Sequence, residues 1–285
     1  MRDINQDEQV RWTRTRLETN KLNIYYSQLA AFLGDPNFPQ VAIRSSASRR
    51  ETSRGQRILY YQDLYKTYSR LKFTHWEDRA VAMNGLEQRL SWGFKCRGGF
   101  GILDDSRQEN HRSLLHRSLL WHRAKGPLEK IVFPPDRQKA PTWSWMAFQG
   151  EIDYLAVPFN GVDWDTELKS PWQKAETQSA GRSEVLEIRA TARQLRLGNR
   201  PIEGVRLFFN SSGQSQPLVS KALCVVVGKE KGYTHVGDRT HYILLVRPTG
   251  SAKESQVMAC ERIGAGQVPG RCIEVDEPGS QVRIR

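Results

Sequence analysis

The run Ala140–Tyr154, APTWSWMAFQGEIDY, limits the fold of this chain more than any other segment. Trp143 and Trp145 lie one residue apart after Pro141, and on an extended strand both indoles point to one face, which has to be buried. Proline cannot donate to a sheet ladder and suits the first position of a strand. Gly150 then breaks the run and permits a turn before Ile152 and Tyr154. The segment holds no nucleophile, base or set of metal ligands, so Pro141, Trp143, Trp145 and Tyr154 read as structural residues of a core.

The hydrophobic period changes at the same point. Upstream, apolar residues recur every three or four positions. The pattern predicts a helix over about 7–33, with Leu22, Leu29 and Phe32, that stops at Gly34–Pro36. A second helix is expected over Ile58–Leu71, with Tyr61, Leu64, Tyr65, Tyr68 and Leu71 as one stripe. Thr74 and Glu77 have the spacing of a capping box for a third helix over about 75–91, with Ala82, Leu86 and Leu90 inward. Between the first two lies Arg44–Arg57, RSSASRRETSRGQR, whose Ser/Arg composition reads as a basic, solvated linker.

Beyond Pro141 the period falls to two. Leu186, Ile188 and Ala190 alternate with charged residues, and 222–227 and 242–246 are apolar runs of strand length punctuated by Gly, Pro, Asn and Ser. These signals predict an α+β protein: a mainly helical region, 1–140, packed on a β-rich region, 141–285, built as an antiparallel sheet or sandwich. Leu119, Leu120 and Trp121 are the expected joint between the two.

Few chemical constellations survive inspection. The four cysteines, at 96, 224, 260 and 272, are widely spaced, and Cys224 and Cys260 sit in apolar runs as buried thiols do. His116 and His122 are six apart and fall on different faces of a helix, so no metal is called for. Asp104 and Asp105 are neighbours that point apart and suit a loop or a helix cap. Glu151, Asp153, Asp163 and Asp165 lack the spacing of a calcium loop. Arg97–Gly101, RGGFG, and Ile263–Gly266 lack the spacing of phosphate-binding loops and read as structural. There is no serine elbow of the type G-x-S-x-G. No apolar run is long enough to span a bilayer and the first residues, MRDINQDE, contain no secretory apolar stretch, so the expected location is cytoplasmic.

The net charge of +12 is uneven: residues 1–140 carry 25 Lys and Arg against 15 Asp and Glu. Such a field suits phosphate contacts, but the 44–57 cluster has no interleaved aromatics for base stacking. Nucleic-acid binding is therefore the alternative reading, not the favoured one.

Taken in order, several segments resemble one family. They are Leu64–Arg70 (LYKTYSR), Thr74–Gly85 (THWEDRAVAMNG), Phe100–Leu103 (FGIL), His116–Arg123 (HRSLLWHR) and Pro141–Trp145 (PTWSW). Ile152–Tyr154, Pro158–Phe159 and Trp164 follow, then Cys224–Gly228, Tyr242–Val246 and Glu261–Gly266. This succession, covering 60–266, is similar to the fungal heterokaryon-incompatibility (HET) domain proteins. Those proteins usually begin with a core compared with the NAD-cleaving TIR fold, marked by segments of the type Y.ALSY.WG and W.D..CI.Q, and neither segment is present here. The chain thus resembles the region that follows the core, as a truncated product or a fragment, and the family's active-site positions have no counterparts in it. The resemblance implies a non-catalytic accessory region acting through an unidentified protein partner in nonself recognition and cell death, with no cofactor. An NAD-cleaving enzyme with a diverged core is the other alternative.

Overall fold

The computed structural model describes residues 50–105, 113–173, 186–198, 201–211, 222–232, 236–250, 257–274 and 278–285, and from Gly55 to Arg285 they belong to one compact unit. The helix expected over 7–33 lies outside the described residues. Helix α1 spans Arg50–Ser69 and α2 spans Arg79–Phe94. A hairpin follows, β1 (Arg97–Gly99) with β2 (Ile102–Asp104), then the short α3 (Leu114–Leu119).

Four expectations for this region need correcting. Of the linker expected over 44–57, residues 44–49 lie outside the described residues and 50–57 instead form the first turns of α1, where Gly55 packs closely enough that a Cβ would stand 3.6 Å from the Phe159 ring. Tyr61, Leu64 and Tyr65 of the predicted stripe are buried, but Leu71 lies past the helix and is exposed. The Thr74–Glu77 capping box does not form. Trp76–Asp78 make a 3-10 turn with no side-chain cap, because Trp76 packs between Phe73 and the Arg79 guanidinium, and α2 starts only at Arg79. Glu77 instead faces His75 at 3.5 Å. The buried face of α2 is also rotated: Arg79, Met83, Glu87, Leu90 and Phe94 point inward while Ala82 is exposed. The inward polar residues Arg79 and Glu87 have buried hydrogen-bond partners, which makes their burial tolerable.

Next come β3 (Trp121–Arg123), β4 (Glu129–Lys130), β5 (Phe148–Gln149) and β6 (Ile152–Tyr154). β3 pairs with β6 and β4 with β5, so strand pairing crosses position 140 twice. Gly150, at φ +127°, makes the turn between β5 and β6. The Trp143/Trp145 segment is not a strand. Ser144 N–H donates to the Pro141 carbonyl at 2.9 Å, and the Ser144 hydroxyl accepts from Met146 N–H to start a 3-10 turn over Trp145–Ala147. Serine and proline offered the backbone a local turn, and it won over a ladder. Both indoles are nonetheless fully buried.

The rest of the chain is β7 (Val162–Trp164), β8 (Ile188–Gln194), β9 (Arg206–Phe209), β10 (Leu223–Glu230), β11 (Thr240–Pro248), β12 (Met258–Pro269) and β13 (Ser280–Ile284). β8, β10, β11, β12 and β13 pair in that order and β13 returns to β8, closing a barrel-like ring in place of the alternative two-layer sandwich. Strand directions cannot alternate around a ring of five, so one pair must be parallel, and that pair is β12–β13. A 3-10 turn at Gly270–Cys272 begins the return. β7 and β9 extend the ring by pairing with the far ends of β10 and β12. β11 is buried from His241 to Val246; Ile243 and Leu245 join Ala222, Cys224, Ile263 and Val268 in one apolar cluster. Cys224, Cys260 and Cys272 are buried free thiols. Among the described residues no helix is long and apolar enough to cross a membrane.

Candidate functional site

Residues distant in sequence meet in an aromatic centre between the helices and the ring. Trp145 packs against Tyr65 (5.6 Å between ring centroids) and Tyr68 (6.3 Å), and Tyr61 against Tyr154. Trp121, the expected joint, donates its indole N–H to the Trp143 carbonyl at 2.9 Å, and its ring lies 3.5 Å from the Arg262 guanidinium of β12. Thr142 secures the other side: its N–H donates to the Arg285 carbonyl, and its hydroxyl accepts from Arg262 N–H at 3.1 Å.

Among the described residues three arginines are buried by one device, an indole beneath the guanidinium and at least one main-chain carbonyl at its edge. Arg79 stacks on Trp145 and Trp76 and donates to the carbonyls of Phe148 and Ser69 at 2.5 and 2.7 Å. Arg117 stacks on Trp164 and Phe159 and donates to the carbonyls of Val157, Pro158 and Phe159. Arg262 donates to the Trp121 carbonyl and the Asn210 side chain. Such stacking and charge-assisted bonds offset the desolvation of the cation. Burial lowers the pKa of Arg79 to about 10 and that of Arg262 well below the usual arginine range. The opposite group is Glu87, a buried carboxylate that accepts from Gly101 N–H; burial raises its pKa to about 7, against the lowering effect of the Gly101 and Phe100 backbone donors.

RGGFG forms the β1–β2 turn, with Phe100 and Gly101 at φ +54° and +75°, and presents Gly101 to the Trp145 indole. Gly264 and Gly266 let β12 approach β9, since a Cβ at either would overlap a β9 carbonyl. Both glycine motifs are thus structural. The four acids after the Trp segment are dispersed: Asp153 faces Lys66, Glu151 faces Arg70, Asp163 faces Lys231, and Asp165 accepts from Glu167 and Leu168 N–H. No group of three or more potential metal ligands occurs among the described residues.

Next to this centre lies a cleft of about 500 Å³, within the range of small-ligand sites. Asp104, Asp105, His116 and Ser170, each less than a tenth exposed, line it together with the indoles of Trp164 and Trp172. Arg97, Asp165 and Lys169 also contribute. The Ser170 hydroxyl donates to Asp104 at 2.5 Å, and Asp105 accepts from the N–H groups of Ser113 and Leu114, capping α3 from outside it. His116 Nε2 lies 2.8 Å from the Asp165 carbonyl. A carbonyl only accepts, so Nε2 carries the proton and Nδ1 is a bare acceptor. Burial lowers the pKa of His116, which keeps the ring neutral. Arg97 donates to the Trp172 carbonyl and Lys169 to that of Thr166. Trp172 in turn packs edge-on against Trp143.

Asp104, Asp105, His116, Trp164 and Asp165 each stood out in the sequence, but nothing marked them as neighbours. Arg97 stood out only as the start of the RGGFG run, and Lys169, Ser170 and Trp172 carried no signal, because α3, the β1–β2 hairpin and the 164–173 segment converge only in three dimensions. Compared with protein-family models, curated proteins and solved structures, the chain matches none.

Proposed function

We propose that the chain is a non-catalytic accessory region of a HET-like protein, acting through protein contacts in a nonself-recognition and cell-death response. One observation carries this reading. The segments on which the family resemblance rests, spread over 60–266, supply residues to the aromatic centre: Tyr65, Gly101, Trp121, Trp143, Trp145 and Arg262. A set of motifs that converge on packing is a signature of architecture, and architecture alone does not define a reaction. The committed bonds of the cleft agree: the Ser170 hydroxyl is directed at Asp104 and the protonated nitrogen of His116 at a carbonyl, so the two do not form a nucleophile–base couple.

The test has two arms. Purified full chain incubated with NAD is expected to release no nicotinamide above the blank. Fungal strains that differ only in carrying the chain are expected to give a different survival of fused cells, and Trp143→Ala is expected to abolish that difference. Sustained nicotinamide release, or fused cells that survive equally with and without the chain, contradicts the proposal.

A further inference from the structure

We propose that the outward face of α2 is a contact surface for a second copy of this chain, docked antiparallel about a two-fold axis that passes midway between Leu86 and Glu87. The exposed residues of α2 are Val81, Ala82, Asn84, Gly85, Gln88 and Trp92, and none is charged. On a chain in which charged residues make up 26 %, a helix face without one is unusual. Val81, Gly85, Gln88 and Trp92 form one stripe about 60° wide, on the side opposite the buried Met83, Leu90 and Phe94. Val81 is 69 % exposed and Trp92 53 %, although Trp121, Trp143 and Trp145 are fully buried. The two amides on the face already serve each other, since Gln88 Nε2 donates to Asn84 Oδ1 at 3.3 Å. An aromatic side chain on a surface cleared of charge is the composition of an interface core.

Charge and symmetry select the occupant. With a net charge of +12, two copies repel one another over most of their surface and approach closest where neither displays a cation. A two-fold contact must be self-complementary. The stripe meets that condition: the axis sets Trp92 of one copy on Val81 of the other and Gln88 on Gly85, so that each large side chain meets a smaller one. Gly85 leaves open space there, with nothing within 4 Å of the position of its Cβ. The ends agree in sign. Lys95 at the C-cap comes opposite Asp78 at the N-cap, whereas parallel docking would set Lys95 against Lys95. Asp78 is also held by Arg137 at 3.0 Å, so this pairing orients the copies more than it strengthens them. The area sets the affinity: a strip about 24 Å long and about 10 Å wide falls short of the ~800 Å² per partner of a stable complex, so the dimer is reversible, with Kd on the order of 100 μM. This self-contact stands whether or not the chain acts in nonself recognition.

Sedimentation velocity of the full chain over a concentration series is expected to show a monomer–dimer equilibrium. Val81→Glu and Trp92→Lys should each weaken the dimer by roughly tenfold or more, because each presses an unpaired charge against an apolar side chain of the other copy. Both changes are at exposed positions and follow the helix dipole, acid near the start and base near the end, so an unchanged thermal midpoint is expected of the monomer. The double variant Val81→Glu/Trp92→Lys tests the register. Its two introduced charges are opposite in sign and face each other across both contacts, so it should associate several-fold more tightly than either single variant. A chain that stays monomeric up to about 1 mM, single variants that associate as the parent does, or a double variant no tighter than the singles overturns the assignment.

Discussion

Gly101→Ala measures how tightly the β1–β2 turn is fitted to the aromatic centre. Gly101 has φ +75°, a conformation that costs an L-residue about 1–2 kcal/mol. An added Cβ would also stand 2.6 Å from Trp145 Cε2 and 2.8 Å from Cδ1, and closer still to Nε1. That indole is fully buried among Tyr65, Tyr68 and Arg79, so it has little room to withdraw. Overpacking of this kind costs about 1–3 kcal/mol, which brings the whole effect to about 2–5 kcal/mol. Urea unfolding of Gly101→Ala should show a midpoint lowered accordingly with an unchanged slope. Gly85→Ala is the control: it lies in α2 with nothing within 4 Å of its Cβ, and should stabilise the protein by about 0.5–1 kcal/mol. A Gly101→Ala protein within about 0.5 kcal/mol of the parent, the scatter of neutral surface changes, refutes the packing argument.

Other expectations follow from the buried charges. Glu87 has a folded pKa of about 7, above its unfolded value of about 4.5, so the folded state holds the proton more tightly. Stability is then fully retained below about pH 4.5 and falls as pH rises toward 7, by on the order of 3 kcal/mol for a shift of this size. Glu87→Gln keeps an acceptor for Gly101 N–H and should lose that dependence, gaining on the parent at pH 8; parallel pH–stability curves would contradict the assignment. Arg262→Met should destabilise by about 2–4 kcal/mol in the same unfolding assay, since it leaves the Trp121 carbonyl and Asn210 without their buried donor. Arg262→Lys should recover little of it, because an ammonium cannot reproduce a planar two-partner fork; full recovery would show that charge alone matters there.

What the sequence disclosed depended on whether a local pattern had a tertiary rival. Three strands of the ring, β8, β10 and β11, were legible because the alternation of Leu186, Ile188 and Ala190 and the apolar runs at 222–227 and 242–246 agree with their final environment. Ring closure was not, since it depends on the pairing of β13 with both β8 and β12, which no local period records. Burial of Trp143 and Trp145 followed from indole chemistry, but their backbone did not, because Ser144 and Pro141 formed a local turn. The capping box failed for a similar reason: Trp76 and Arg79 gained more from packing than Thr74 and Glu77 from capping. Burial of Arg79, Arg117 and Arg262 runs against the usual exposure of arginine and becomes intelligible only with the indoles and carbonyls in place.

The PTWSW segment as the buried seam between helices and ring is tested most directly by unfolding Trp143→Ala while following near-ultraviolet and far-ultraviolet circular dichroism together. Trp143 is fully buried, and its removal should cost about 3–5 kcal/mol in one transition on which both signals coincide. An unchanged midpoint, or an aromatic signal lost while the β-signal melts where it does in the parent, would contradict the account.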